Sequence, residues 1–126
     1  MKLIRSLDNL KKALKFMEAA KESDRDVAFL SVAKAFEVAV EYAWRDLQQK
    51  IESEGLDAPS PKAAVREAAR LSIVDSAEAW IDYINARNAG VHDYFGMTNE
   101  AYIKIANEFL DDAEKIIKRS KVKGKR

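Results

Sequence analysis

Apolar residues recur along most of this chain at helical spacing. Leu3, Leu7, Leu10, Leu14 and Met17 follow at steps of four, three, four and three. That is one stripe of a helix, and Lys2, Arg5, Asp8, Lys11, Lys12 and Lys15 fill its other faces. A polar break at Lys21–Asp26 offers Ser23 and Asp24 as caps for a second helix over about Arg25–Ser53. Its stripe runs Phe29, Val32/Ala33, Phe36, Val40, Ala43/Trp44, Leu47, Ile51, and the small Ala39 and Ala43 permit a close neighbour. At ~1.5 Å per residue the helix is about 40 Å long, enough to be the spine of a bundle and to reach a subunit interface. Gly55 stops it where a left-handed C-terminal cap is wanted.

After the stiff connector Ala58-Pro59-Ser60-Pro61, Ser60 caps and Pro61 opens a short third helix reaching about Leu71. Asp75, with Glu78 three residues on, reads as a capping box for a fourth helix striped by Ala77, Trp80/Ile81 and Ile84. Thr98 caps a fifth, striped by Tyr102, Ile105/Ala106, Phe109, Ala113 and Ile116/Ile117. Alternating runs of Val, Ile and Thr are absent. The fold class expected is all-α, an antiparallel up-and-down bundle of about five helices in one domain over 1–117, with a basic flexible tail over 118–126. Phe36, Trp44, Trp80 and Phe109 are expected in the core. Tyr42 and Tyr83 lie off the main stripes, as interface residues would, and Glu37, Glu41, Glu52 and Glu54 read as a solvated face.

Composition narrows the chemistry. With no Cys among 126 residues there is no disulfide scaffold, thiolate metal site or cysteine nucleophile. A single His, His92, excludes a metal site needing two histidines of one chain, and neither metal nor cofactor is expected. The net charge of +1 conceals an asymmetry. Residues 118–126 hold six Lys/Arg and no acid, which leaves 16 basic against 21 acidic residues, a net of −5, over 1–117. The tail reads as a solubilising terminus, or as an arm for phosphates. The charged start reads as no signal peptide. The longest uncharged apolar run, Val27–Ala33, is far short of the ~20 residues that span a bilayer, so a cytoplasmic protein off the membrane is expected.

A base, a fixed cation, an amide, a carboxylate and a phenol crowd together only over Arg87–Tyr94. His92 can give and take protons near neutrality. Arg87 presents a planar donor fork suited to phosphate. Asn88 and Asp93 can contact a nucleotide, and Asp93 can also orient the imidazole. Tyr94 can stack or donate its hydroxyl. A helix end at Ala89–Gly90 would let Arg87 and His92 converge. The set suits metal-independent RNA cleavage, in which a base takes the 2′-OH proton, the oxygen attacks phosphorus and an acid protonates the leaving 5′-oxygen. One His cannot easily be acid and base at once, so the chemistry predicts a homodimer with two facing motifs, its interface near Tyr83 and Arg87. On spacing alone, the same residues also fit a helix-end cap with Arg87 paired to an acid such as Asp93. No ExxH pair, Gly-rich phosphate loop or GxSxG competes.

Arg87-x4-His92-x-Tyr94, with Asn88 after the Arg, resembles the RX4HXY signature of the HEPN superfamily. Phe36-Glu37, Ala43-Trp44-Arg45-Asp46-Leu47, Gly55 and Ser60-Pro61-Lys62-Ala63-Ala64-Val65-Arg66-Glu67-Ala68 are similar to its bacterial and archaeal nucleotidyltransferase substrate-binding branch, and Glu100-Ala101-Tyr102 also fits. The likeness runs from about Phe36 to Phe109. It implies a dimeric helical bundle that binds a minimal nucleotidyltransferase. In the toxin–antitoxin members it implies an RNase toxin, with Arg87 and His92 catalytic and Tyr94 accepting AMP from the neutralising partner. Gly90 and Phe95-Gly96 do not match the pattern, and Asp93 falls at its free position. Two other readings stand beside the toxin: a non-catalytic subunit that presents a substrate to the nucleotidyltransferase, and a dimeric helical adaptor.

Overall fold

The computed structural model describes residues 2–89 and 98–124, with side chains through 88 in the first stretch and 119 in the second. Five α-helices follow in order: α1 Lys2–Ala19, α2 Arg25–Ser53, α3 Pro61–Arg70, α4 Ala77–Ala89 and α5 Asn99–Gly124, with one 3-10 turn at Glu22–Asp24 before α2. No strand occurs among the described residues. The architecture is an antiparallel up-and-down bundle. α2 is its spine and packs against all four other helices, while α1 and α4 each also lie against α5.

The stripes read from the sequence are the buried faces. Leu3, Leu7, Leu10, Leu14 and Met17 are buried on α1, and Phe29 through Ile51 on α2. Ala39 and Ala43 have no exposure, so neighbours approach the α2 backbone closely there. Edge-on aromatic pairs then tie three helices together. Phe36 of α2 meets Tyr102 and Phe109 of α5 at 5.3 and 5.5 Å, and Phe109 meets Trp80 and Tyr83 of α4 at 5.7 and 5.5 Å.

The helix ends mostly follow local chemistry. Ser60 Oγ accepts from Ala63 N at 3.2 Å ahead of Pro61, and Thr98 Oγ1 accepts from Ala101 N at 3.1 Å. Gly55, at φ 81°, donates to Glu52 O while Leu56 N reaches Ile51 O, the paired bonds of a Schellman end. Two caps differ from the expectation. Asp24 precedes α2 but its carboxylate makes no capping bond. At α4, Ser76 rather than Asp75 accepts from Ala79 N, at 3.1 Å. Asp75 is drawn instead to Arg119 of α5 at 2.7 Å and Lys115 at 3.6 Å. The basic run begins inside α5, whose helix continues through Gly124.

Candidate functional site

α2 turns its buried stripe toward the core and carries Glu41, Trp44 and Arg45 on another side. Spaced at i, i+3 and i+4, these three share one helix face. α4 brings Arg87 to the same place in its last turn. The Arg87 Nη2 donates to Glu41 Oε2 at 3.0 Å across 46 positions of sequence. Trp44 Nε1 donates to the same oxygen at 2.8 Å. Arg45 closes the other oxygen, with Nε and Nη2 at 3.1 and 3.0 Å from Oε1, and its guanidinium lies over the Trp44 ring at 5.4 Å. One carboxylate therefore takes four donors.

Burial pushes the Glu41 carboxyl up. The bonds from Trp44 and Arg45 and the charges of Arg87 and Arg45 outweigh it and hold the group below the ordinary Glu value. Asp46, one turn on, moves the other way: burial raises it and Lys50 only partly offsets the rise.

An open cleft of about 570 Å³ lies over this cluster. Its charged lining is balanced, with Lys2, Arg45 and Arg87 facing Glu37, Glu41 and Asp46. The Arg87 side chain is 33% exposed. It spends a second donor on Asn88, whose Oδ1 accepts from Nη1 at 3.0 Å, and its Nε is buried with no acceptor among the described residues. An anion entering the cleft meets a guanidinium whose orientation is already fixed on two sides.

The structure brings together only part of the expected site. Arg87 and Asn88 stand side by side at the end of α4, which is helical through Ala89. His92, Asp93 and Tyr94 lie outside the described residues, and so does the expected convergence of Arg87 with His92. Three other expectations are corrected. Glu41 is no mere member of a solvated face but the hub of the cluster. Trp44 is half-buried rather than in the core, and its indole N–H is satisfied by the Glu41 carboxylate. Tyr83 is 3% exposed, a core residue rather than the peripheral one its place off the stripe suggests. It is closed between Trp80 and Phe109, and its hydroxyl donates to Asp112. The signal for Glu41 was present in the sequence, as a Glu with Trp at i+3 and Arg at i+4. Its partner on α4 was not.

Residues 2–122 match the family described as "Nucleotidyltransferase substrate binding protein like". No curated protein matches the chain. Among solved structures, one from Thermus thermophilus is similar over 93% of this chain and 97% of its own, with a TM-score of 0.78 and 24% identity, a likeness of fold. Among the described residues no helix is long and apolar enough to cross a membrane.

Proposed function

The chain belongs to the nucleotidyltransferase substrate binding protein like family, and from that premise we propose that it pairs with a minimal nucleotidyltransferase and is a HEPN-type, metal-independent endoribonuclease toxin that this partner silences. The observation that supports the reading is Arg87, a cation held in a fixed pose at an open cleft, immediately ahead of the residues that complete the RX4HXY pattern. In this reading Arg87 stabilises charge on the scissile phosphate. His92 of one copy takes the 2′-OH proton, O2′ attacks phosphorus, and the P–O5′ bond breaks. His92 of the second copy protonates the leaving oxygen, giving a 2′,3′-cyclic phosphate and a 5′-hydroxyl. Asn88 and Asp93 contact the RNA. Neutralisation adds AMP to Tyr94: the phenol oxygen attacks the α-phosphorus of ATP and pyrophosphate leaves. The new phosphate then competes for Arg87.

A homodimer of about 28 kDa, twice the 14.2 kDa chain, is expected by light scattering. Arg87→Ala and His92→Ala are each expected to lower RNA cleavage ~10²–10⁴-fold, and EDTA to leave it unchanged. Cleavage that survives both substitutions assigns the activity elsewhere. Incubation with the partner, ATP and Mg²⁺ is expected to add AMP by intact mass in the wild type and not in Tyr94→Phe.

One observation favours a second reading. Arg87 already carries an internal counter-anion, and the balanced cleft draws no polyanion by net field. A non-catalytic subunit that presents a substrate to the nucleotidyltransferase fits those features. Binding of the nucleotidyltransferase without RNA cleavage by the free chain is its expected result.

A further inference from the structure

Glu41 is built into this site from both directions. Its carboxylate reaches from α2 to the last turn of α4, and no other charged group among the described residues bonds the Arg87 guanidinium. Arg45 and Trp44 come from Glu41's own helix and together supply three of its four donors. They fix the position of the carboxylate before Arg87 arrives, and Glu41 in turn fixes Arg87.

An arginine left free at a helix end samples many rotamers, and only one of them aims its fork at a given phosphate. A carboxylate gripping one Nη, with an amide on the other, removes that freedom and leaves the second N–H of each Nη for a ligand, while Nε is buried. Glu41 itself is a poor candidate for a proton-transfer group, because all four contacts stabilise its charged form.

We propose that Glu41 is the positioning residue of the cleft: it aims Arg87 at a phosphodiester of single-stranded RNA, and Trp44 and Arg45 hold it in place for that task. The proposal rests on the ribonuclease reading for its ligand, but it is separable from that reading in the test.

The full chain is assayed in two ways. Binding of a short 2′-O-methyl RNA, which cannot be cleaved, is measured for the wild type, Glu41→Gln, Arg87→Ala and the double variant. Glu41→Gln is expected to weaken binding about tenfold in the wild-type background and to add nothing once Arg87 is gone. A purely structural Glu41 would weaken both backgrounds or neither. Cleavage of the unmodified RNA is then followed, and Glu41→Gln is expected to lower kcat about ten- to a hundredfold, the scale known for the outer partners that orient metal-binding side chains.

Coupled binding without any cleavage by the wild type removes the ribonuclease reading and leaves Glu41 in its role. Cleavage that Glu41→Gln does not change overturns the positioning role alone. Tighter RNA binding by Glu41→Gln overturns it too, because Glu41 would then be competing with phosphate for Arg87. A wild type that neither binds nor cuts RNA overturns both. If Glu41→Gln fails to fold, Trp44→Phe takes its place: it removes one donor to Glu41, keeps an aromatic ring, and is expected to weaken RNA binding about threefold, again only while Arg87 is present.

Discussion

Tyr83 and Arg87 sit one turn apart on α4, on the same side of the helix, and both reach a carboxylate on another helix. Their surroundings diverge completely. Tyr83 is 3% exposed, edge-on to Trp80 and Phe109, and gives its hydroxyl proton to Asp112 of α5. Arg87 is a third exposed and grips Glu41 of α2 at the open cleft. One turn of helix thus carries the chain from core to site. In the core the polar tip is itself a neutral donor, satisfied by the Asp112 carboxylate, so no positive charge is buried. At the cleft a full charge is kept, half-shielded and pre-aimed. A side chain that serves packing loses its freedom to apolar neighbours, whereas Arg87 loses it to a carboxylate that still leaves it open to a ligand.

The comparison breaks hardest at Phe109, whose ring meets Phe36, Trp80 and Tyr83 together and has no exposure. Phe109→Ala empties the point where α2, α4 and α5 meet. It is expected to cost about 3–5 kcal/mol of stability and to lower the melting temperature by roughly 10–20 °C, read by calorimetry. Arg87→Ala is expected to do the opposite, with a far smaller loss of stability and a large loss of RNA binding. Equal losses of stability would mean that the cleft is as much a packing device as the core.

Alkaline unfolding sharpens the contrast further. Burial, and then the Asp112 carboxylate, push the Tyr83 phenol well above its ordinary value. A group whose folded pKa is raised holds its proton in the native state after the unfolded chain has lost it. Its contribution is therefore intact below the unfolded value of ~10 and declines as pH rises beyond it, by about 1.4 kcal/mol per pH unit. Tyr83→Phe is expected to remove that share of the alkaline slope. At neutral pH it should cost only about 1 kcal/mol for the lost hydrogen bond. Denaturant melts of both proteins at pH 8 and pH 11 check the sign: an unchanged difference between them would mean that the phenol is not shielded as the structure has it.

What the sequence revealed of this arrangement was whatever is decided within a turn or two of chain. The α1 stripe, the bounds of α2, the Ser60-Pro61 start, the Thr98 cap and the Gly55 end depend on near neighbours, and the structure has each of them. Asp75 reads as a cap from its near neighbours alone, but its partners, Arg119 and Lys115, come from α5. Tyr83 looked peripheral because periodicity assigns one apolar face to a helix, whereas α4 packs against α2, α3 and α5 and buries a wider arc. Trp44 falls on the α2 stripe by angle, yet it is only half-buried and its N–H is spent on Glu41. Arg87 stood out as a cation in a crowded motif. Its partner Glu41 did not, because an acid on a long helix looks like surface until a second helix brings a charge to it.

The smallest expected effect concerns the turn that sets where α4 begins, without touching Tyr83 or Arg87. α3 ends as α2 does, with Ser72 N on Ala69 O and Ile73 N on Ala68 O, but the left-handed residue is Ser72, at φ 62°, in the place that Gly55 fills after α2. A left-handed residue with a Cβ costs about 1–2 kcal/mol, and a glycine gives back about 0.5–1 kcal/mol through the greater freedom of the unfolded chain. Ser72→Gly is therefore expected to stabilise the protein by about 0.5 kcal/mol, a rise of roughly 1–3 °C in melting temperature. The mirror experiment is Gly55→Ala. Nothing lies within 4 Å of where its Cβ would stand, so only the backbone penalty applies, and a loss of about 1 kcal/mol is expected. Neither change is expected to alter RNA binding, because both act on backbone conformation and neither residue lines the cleft. If Ser72→Gly destabilises instead, the Ser72 side chain is doing something beyond tolerating a strained turn, and the α3–α4 link would have to be counted among the features that place α4 and, through it, Arg87.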